Sequence, residues 1–251
     1  MSRGNMIRSV LHVFLASVMV TSSMAVEQTY QPEDGSAELN QKAKKKKGKK
    51  AKIDPDLPMV LIIGDSISIA YTGKVRAQLQ GKANVLHNRG NSQGTTNGLV
   101  KIDSWIGDTQ WDVIHFNFGL HDLKRVEVAG TSKNSNDPKD PYQADLKSYT
   151  TNMEQLVKRL TKTGAKLIFA TTTPFPKGVS PHRDPEDASQ YNEAAAKIMK
   201  ANQIEVNDLY SVILPHLKTH QKPANVHFLG NGSELLAKQV SQKIEASLDS
   251  P

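Results

Sequence analysis

The segment Met59-Val60-Leu61-Ile62-Ile63-Gly64-Asp65-Ser66 indicates the fold class of the chain. Five consecutive apolar residues followed by a glycine are typical of a strand that is buried on both faces of a parallel sheet. The serine then stands just beyond the carboxyl end of the strand, where open α/β sheets bind their ligands. This segment therefore predicts both a parallel sheet and a reactive group at its edge.

Strands and helices alternate from this segment to the C-terminus. We predict further strands at residues 84–86, 111–118, 166–172 and 204–206, and helices at residues 71–79, 99–106, 145–160, 188–201 and 233–248. Such alternation is typical of an α/β fold, in which helices cover both faces of a mostly parallel sheet, here of five strands.

Residues 1–25 have the pattern of a secretory signal peptide. Arg3 and Arg8 precede an apolar stretch at residues 10–20. Ser23-Met24-Ala25 then places small residues where a signal peptidase cleaves. The apolar stretch is short for a membrane span, which needs about 20 residues. We therefore expect cleavage after Ala25 and a secreted or periplasmic protein, with an uncleaved signal anchor as the alternative.

The positive charge of the chain is concentrated near its N-terminus. The formal net charge is +7, but residues 1–52 contain ten basic and four acidic residues, so the remainder carries only +1. Residues 26–55 are polar and include eight lysines between positions 42 and 52, which predicts a disordered linker. These lysines form either a solvated spacer or a contact to anionic surfaces. We expect no nucleic-acid partner, and residues 56–251 form the globular domain.

Two further polar motifs stand where the predicted sheet presents its reactive edge. Gly119-Leu120-His121-Asp122 follows the third strand, and Asn225-Val226-His227-Phe228 precedes the closing helix. A serine hydroxyl becomes a good nucleophile only when a neighbouring base such as histidine takes its proton. The alternative interpretations are that Ser66 is a helix N-cap and that Asp122 caps a turn.

Together with Gly90 and Gly94 after the second strand, these motifs resemble the ordered sequence blocks of the GDSL/SGNH hydrolase superfamily over residues 57–250. The resemblance implies a flavodoxin-like three-layer α/β/α fold and a serine esterase that uses no metal or cofactor. Its substrates would be small-molecule or polysaccharide esters, often acetyl esters of carbohydrates. By position, Ser66 is the nucleophile and His227 the base. The N–H groups of Ser66 and Gly94, favoured over Gly90, and the side chain of His121 form the oxyanion hole.

Two positions depart from the family pattern. His121 replaces the usual asparagine of the oxyanion hole; a neutral imidazole can donate the same hydrogen bond, but the hole should then be sensitive to pH. Ala224 replaces the usual catalytic aspartate. The ring of His227 would then be oriented by a backbone carbonyl near Ala224 or by Asn225, with Asp122 and Asp65 as further candidates. These departures also leave open a catalytically weak domain that binds glycan or peptidoglycan.

The segment after the fourth strand contains candidate substrate contacts. These are Phe175, Lys177, His182 and Arg183. Trp105 and Trp111 have apolar neighbours, which favours packing between helix and strand over stacking on sugar rings.

Overall fold

The computed structural model describes residues 53–250, which form an α/β fold with a five-stranded sheet. The strands are β1 (Met59–Ile63), β2 (Asn84–His87), β3 (Val113–Phe116), β4 (Lys166–Ala170) and β5 (Glu205–Asn207). Their order is β2-β1-β3-β4-β5 and every neighbouring pair is parallel. The predicted flavodoxin-like fold is therefore confirmed. The predicted signal peptide and all but the last residues of the linker lie outside the described residues.

Two helix layers cover the sheet. The helices are α1 (Ser66–Gln78), α2 (Thr95–Ile106), α3 (Leu146–Thr161), α4 (Asp187–Ala201), α5 (Leu209–Ile213), α6 (Leu217–His220) and α7 (Gly230–Asp249), with a 3-10 turn at Leu214–His216. Helix α1 packs against α7 in one layer, while α3 packs against both α2 and α4 in the other. Within residues 53–250, no helix has the length and apolar character needed to span a bilayer.

The helices next to the reactive edge begin earlier than the sequence predicted. Helix α1 starts at Ser66 rather than Tyr71, and α2 starts at Thr95 rather than Leu99. The first turn of α1 alternates serine with isoleucine and that of α2 is polar or small, so a helical apolar periodicity becomes visible only later in each helix. The N-cap of α1 is Asp65, whose side chain accepts a hydrogen bond from the N–H of Ile67 at 2.9 Å. The interpretation of Ser66 as a simple N-cap is therefore wrong.

Helices α5 and α6 were not predicted. They contain five and four residues, which is too short for an apolar periodicity to appear in the sequence. Both tryptophans pack at the amino end of β3, opposite the edge where Ser66 lies. Trp111 donates from its ring nitrogen to the carbonyl of Ile106 at 2.9 Å, and Trp105 packs against the core.

A histidine lies inside the otherwise apolar sheet. His115, in the centre of β3, is fully buried, and its Nε2 lies 3.1 Å from Nδ2 of Asn207 on β5. Its Nδ1 has no partner among the described residues. Burial lowers the pKa of His115 from 6.5 to about 3, so the ring stays neutral in the folded protein.

We predict that His115 makes the fold less stable as pH falls below 6.5. The unfolded chain binds a proton near pH 6.5 whereas the folded chain does so only near pH 3, so the free energy of unfolding falls by about 1.4 kcal/mol per pH unit from this residue. His115→Gln, which keeps an acceptor for Asn207, should flatten that dependence in urea titrations between neutral pH and about pH 5. His216→Gln, at an exposed position, is the control. An unchanged pH dependence in His115→Gln would contradict the prediction.

Candidate active site

Ser66 and His227 come together at the carboxyl edge of the sheet. The Oγ of Ser66 lies 2.8 Å from Nε2 of His227, although the two residues are 161 positions apart. Ser66 is the first residue of α1, directly after β1, and His227 lies in the loop that leads into α7. Both side chains are half-buried. This is the hydrogen bond that a serine nucleophile needs with its base.

Asn225 orients the ring of His227. The amide oxygen of Asn225 lies 2.7 Å from Nδ1 of His227 and accepts the backbone N–H of the same histidine at 2.9 Å. Because that backbone N–H can only donate, the atom that faces it must be the oxygen. Nδ1 therefore carries the proton, and Nε2 presents a lone pair to the hydroxyl of Ser66. Of the orienting groups considered, the side chain of Asn225 occupies this place rather than a carbonyl near Ala224.

Asp122 and Asp65 are engaged elsewhere. Asp122 is fully buried, and its Oδ1 accepts both the backbone N–H of Thr95 at 2.8 Å and the Thr95 hydroxyl at 2.5 Å. Asp65 caps α1 through the N–H of Ile67. Neither carboxylate therefore completes a triad with His227. Burial raises the pKa of Asp122 to about 7, although the hydrogen bonds from Thr95 oppose this rise.

Two helix N-termini supply backbone donors at this edge. Ser66 opens α1, and Gly94 is the N-cap of α2, so their N–H groups precede the hydrogen-bonded turns of the helices. The loop before Gly94 is fastened to β1 by a hydrogen bond from the N–H of Ser92 to the carbonyl of Gly64 at 3.0 Å. Such N–H groups, with the helix dipole behind them, suit a developing oxyanion.

The surroundings of Gly94 require a glycine. A Cβ at this position would lie 2.9 Å from Oδ1 of Asp122, closer than side-chain atoms tolerate. Gly90, by contrast, is exposed and a Cβ there would meet only open space. The structure therefore places Gly94, and not Gly90, in packed contact with the Gly119-Leu120-His121-Asp122 motif.

His121 is neutral at ordinary pH. Burial is the main cause that lowers its pKa from 6.5 to about 3, and the positive charges of Arg183 and Lys124 add to it. A neutral imidazole carries one N–H, which can donate to a ligand. The expected sensitivity of the oxyanion hole to pH thus falls near pH 3, because the buried ring resists protonation above it.

His227 is also biased towards its neutral form. Burial lowers its pKa below 6.5, and the charges of Lys222 and Arg183 lower it further. A neutral imidazole is the form that accepts the serine proton. The base is therefore ready at neutral pH.

Of the candidate contacts after the fourth strand, one acts on the site. The charge of Arg183 reaches Asp65, His121 and His227, as their pKa shifts show. Phe175 is buried in the core, and Lys177 is exposed. The ring of His182 instead pairs with Asp184 at 3.1 Å.

Two residues that position the site were missed by sequence reasoning. Asn88 accepts the N–H of Gly64 at 2.9 Å through its amide oxygen, which ties the end of β1 to the loop after β2. Thr95 binds Asp122 and thereby joins α2 to the loop after β3. Asn88 directly follows a strand, where a polar residue indicates a role at the reactive edge. The sequence around Thr95 contains no such signal.

A second serine–histidine contact, 2.7 Å between Oγ of Ser68 and Nε2 of His87, lies behind the site, but Ser68 is buried and its hydroxyl also reaches the carbonyl of Asp65. Between residues 53 and 250, no three metal-ligating side chains are grouped to hold an ion. A hollow of about 580 Å³ between the ends of α2 and α3 lies at the opposite edge of the sheet, and neither serine nor histidine lines it.

Comparisons with known proteins identify the family of the chain and agree with its fold. The model of the GDSL-like lipase/acylhydrolase family matches residues 62–235. A lipase/acylhydrolase from Enterococcus faecalis is 18% identical, with a TM-score of 0.62 over 75% of this chain and 96% of the other. A GDSL-like lipase from Bacteroides thetaiotaomicron is 15% identical, with a TM-score of 0.58 over 75% and 88%. An acetylxylan esterase from Geobacillus stearothermophilus is 15% identical, with a TM-score of 0.58 over 74% of this chain and 94% of the other. A comparison with curated proteins gave no match.

We predict that Asn225→Asp raises the pKa of His227. A carboxylate at this position keeps both hydrogen bonds to the histidine and adds a negative charge beside the ring, which should raise its pKa by about one unit. The acid limb of kcat/KM against pH should move upward accordingly. Asn225→Ala removes the orienting oxygen and should lower kcat/KM on the order of 10²-fold. Wild-type kcat/KM in Asn225→Ala would show that Asn225 does not orient the base.

We also predict that Lys222→Gln moves the acid limb of kcat/KM to higher pH. The charge of Lys222 lowers the pKa of His227, so its removal should raise that pKa, and the enzyme should lose activity sooner on acidification. Lys197→Gln removes an equal charge from an exposed position on α4 and should leave the profile in place. An acid limb that moves equally in both variants would indicate a general charge effect.

Proposed function

Because the chain belongs to the GDSL-like lipase/acylhydrolase family and is thus an ester hydrolase, we propose that it is an exported serine esterase that acts on acetyl esters of carbohydrates. The observation that carries the catalytic part is the 2.8 Å hydrogen bond between Ser66 Oγ and His227 Nε2. The signal-peptide pattern of residues 1–25 supports export. The shared fold with an acetylxylan esterase supports carbohydrate acetyl esters as the substrate class.

The proposed reaction is acyl transfer through Ser66. The Oγ of Ser66 attacks the ester carbonyl carbon while Nε2 of His227 takes the hydroxyl proton. The N–H groups of Ser66 and Gly94 and the ring N–H of His121 receive the oxyanion of the tetrahedral intermediate. As the intermediate collapses, His227 gives its proton to the leaving alcohol and the acyl group stays on Ser66. Water, deprotonated by His227, then releases acetate and restores the serine.

A second candidate function is glycan binding with little catalysis. The observation that favours it is the neutral Asn225 beside His227, because an amide stabilises the imidazolium of the transition state less than a carboxylate does. Labelling by a fluorophosphonate distinguishes the two functions. A competent nucleophile is modified at Ser66, whereas a binding domain remains unlabelled.

The residues 42–52 have a separate proposed role. Their eight lysines would hold the exported enzyme near anionic surfaces such as acidic polysaccharide. Removing them should change attachment and leave the chemistry at Ser66 unaltered.

We predict that hydrolysis of p-nitrophenyl acetate depends on both members of the pair. Ser66→Ala and His227→Ala should each lower kcat by at least about 10³-fold, since neither group works without the other. Ser104→Ala, at an exposed serine of α2, is the matched control and should keep full activity. Hydrolysis of longer acyl esters in the same assay shows which acyl length the enzyme prefers. Full activity in Ser66→Ala would refute the proposed mechanism, and an inactive, unlabelled wild type would favour the binding domain.

A further inference from the structure

Arg183 is a buried cation held by backbone carbonyls. The residue is only 5% exposed. Nε donates to the carbonyl of Leu120 at 2.8 Å, and Nη1 donates to the carbonyl of Pro181 at 3.1 Å. Within residues 53–250, no carboxylate forms an ion pair with this guanidinium. A buried charge without an ionic partner is costly to a fold, which calls for a reason beyond packing.

One end of the guanidinium remains available. No described residue accepts a hydrogen bond from Nη2. Protein atoms do not enclose Nη2 completely, so it keeps contact with solvent. Burial lowers the pKa of Arg183 only to about 10, so the group stays charged at neutral pH. The negative charge of Asp65 raises the pKa of Arg183. Oδ1 of Asp65, however, already accepts a hydrogen bond from the N–H of Ile67.

The guanidinium of Arg183 is anchored next to the oxyanion-hole motif. Leu120, whose carbonyl holds Nε, directly precedes His121 of the oxyanion hole. The positive charge of Arg183 also lowers the pKa of both His121 and His227. A ligand that reaches Ser66 therefore passes within the field of this cation.

The loops that carry Arg183 form a fixed support. The N–H of Arg125 donates to the carbonyl of His182 at 2.9 Å, and the N–H of His182 donates to the carbonyl of Ser135 at 2.9 Å. Arg125 also pairs with Asp184 at 2.8 Å. The loop after β3 and the loop after β4 are thus joined on both sides of Arg183, so the guanidinium is held in place before a ligand arrives. A held donor loses little freedom on binding.

We propose that Arg183 binds a carboxylate on the alcohol portion of the substrate, so that the preferred substrate is an acetylated acidic sugar. This inference rests on the proposed function. The acyl group of that substrate is an uncharged acetyl group, so a carboxylate on the substrate lies on the sugar. Arginine is suited to carboxylates because its planar donors match their oxygens. The lysines at residues 42–52 would be attracted to the same acidic polysaccharide.

The test compares two acetylated substrates that differ in charge. One is an acetylated methyl glucuronoside, which carries a carboxylate, and the other is the corresponding acetylated methyl glucoside, which is neutral. For the wild type we expect kcat/KM on the acidic ester to exceed that on the neutral ester by about 10-fold or more, as one charge-assisted hydrogen bond would give. Raising sodium chloride from about 50 mM to about 500 mM should raise KM for the acidic ester alone.

Variants separate binding from support of the loop. Above neutral pH, where His227 is neutral with or without the charge of Arg183, Arg183→Gln should raise KM for the acidic ester on the order of 10-fold and leave KM for the neutral ester within about two-fold. Arg183→Lys restores a charge and should recover part of the preference. The control is Arg159→Gln, because Arg159 also donates to a backbone carbonyl, that of Leu99 at 2.7 Å, but lies at the opposite edge of the sheet.

The outcomes are distinguishable. Equal hydrolysis of both esters by the wild type, with no effect of salt, would overturn the inference and leave the proposed esterase intact. Equal loss on both esters in Arg183→Gln would also overturn it, because it would assign Arg183 only to holding Leu120. No hydrolysis of any ester and no fluorophosphonate labelling would overturn the esterase and this inference together.

Discussion

The hydrogen bond between Ser66 and His227 depends on how the two ends of the domain are brought together. Ser66 begins α1, His227 precedes α7, and these two helices pack side by side over one face of the sheet. The ion pair of Lys74, in the second half of α1, with Glu234, near the start of α7, joins them. Because β1 lies inside the sheet with β3 beside it, the motif after β3 reaches the same edge. The sheet order thus places nucleophile, base and oxyanion donors together.

The site differs from a carboxylate-based triad in its electrostatics. An amide oxygen fixes the tautomer and the direction of the His227 ring as a carboxylate would, but it brings no negative charge to the imidazolium. The carboxylates that lie nearby in the motifs serve the scaffold, since Asp65 caps α1 and Asp122 holds the start of α2. Geometry for acyl transfer is therefore complete, while stabilisation of the charged base is weaker than in a Ser-His-Asp arrangement.

The sequence predicted the sheet and the principal residues of the site. It did not predict the features that long-range contacts determine. The apolar run at β1 predicts its burial by itself, and the polar motifs after β1 and β3 become neighbours once a parallel sheet is assumed. The start of α1 was missed because its first turn alternates serine with isoleucine, a pattern that shows no helical periodicity, while the Asp65 cap stabilises it. The partner of His227 stayed ambiguous because side chain and backbone oxygens are equally near in sequence. The link between Thr95 and Asp122 spans 27 positions and leaves no pattern in either segment.

The charges around His227 suggest why this chain tolerates an asparagine beside its base. The charged groups that act on the pKa of His227 are both cations, Lys222 and Arg183, and both oppose protonation of the ring. A substrate carboxylate bound at Arg183 would offset one of these charges at the moment the ester occupies the site. The pKa of His227 would then rise in the complex, and the ring would become a stronger base only when an acidic substrate is present. Binding energy from a remote group of the substrate would in this way lower the barrier at the reacting centre, beyond its effect on KM.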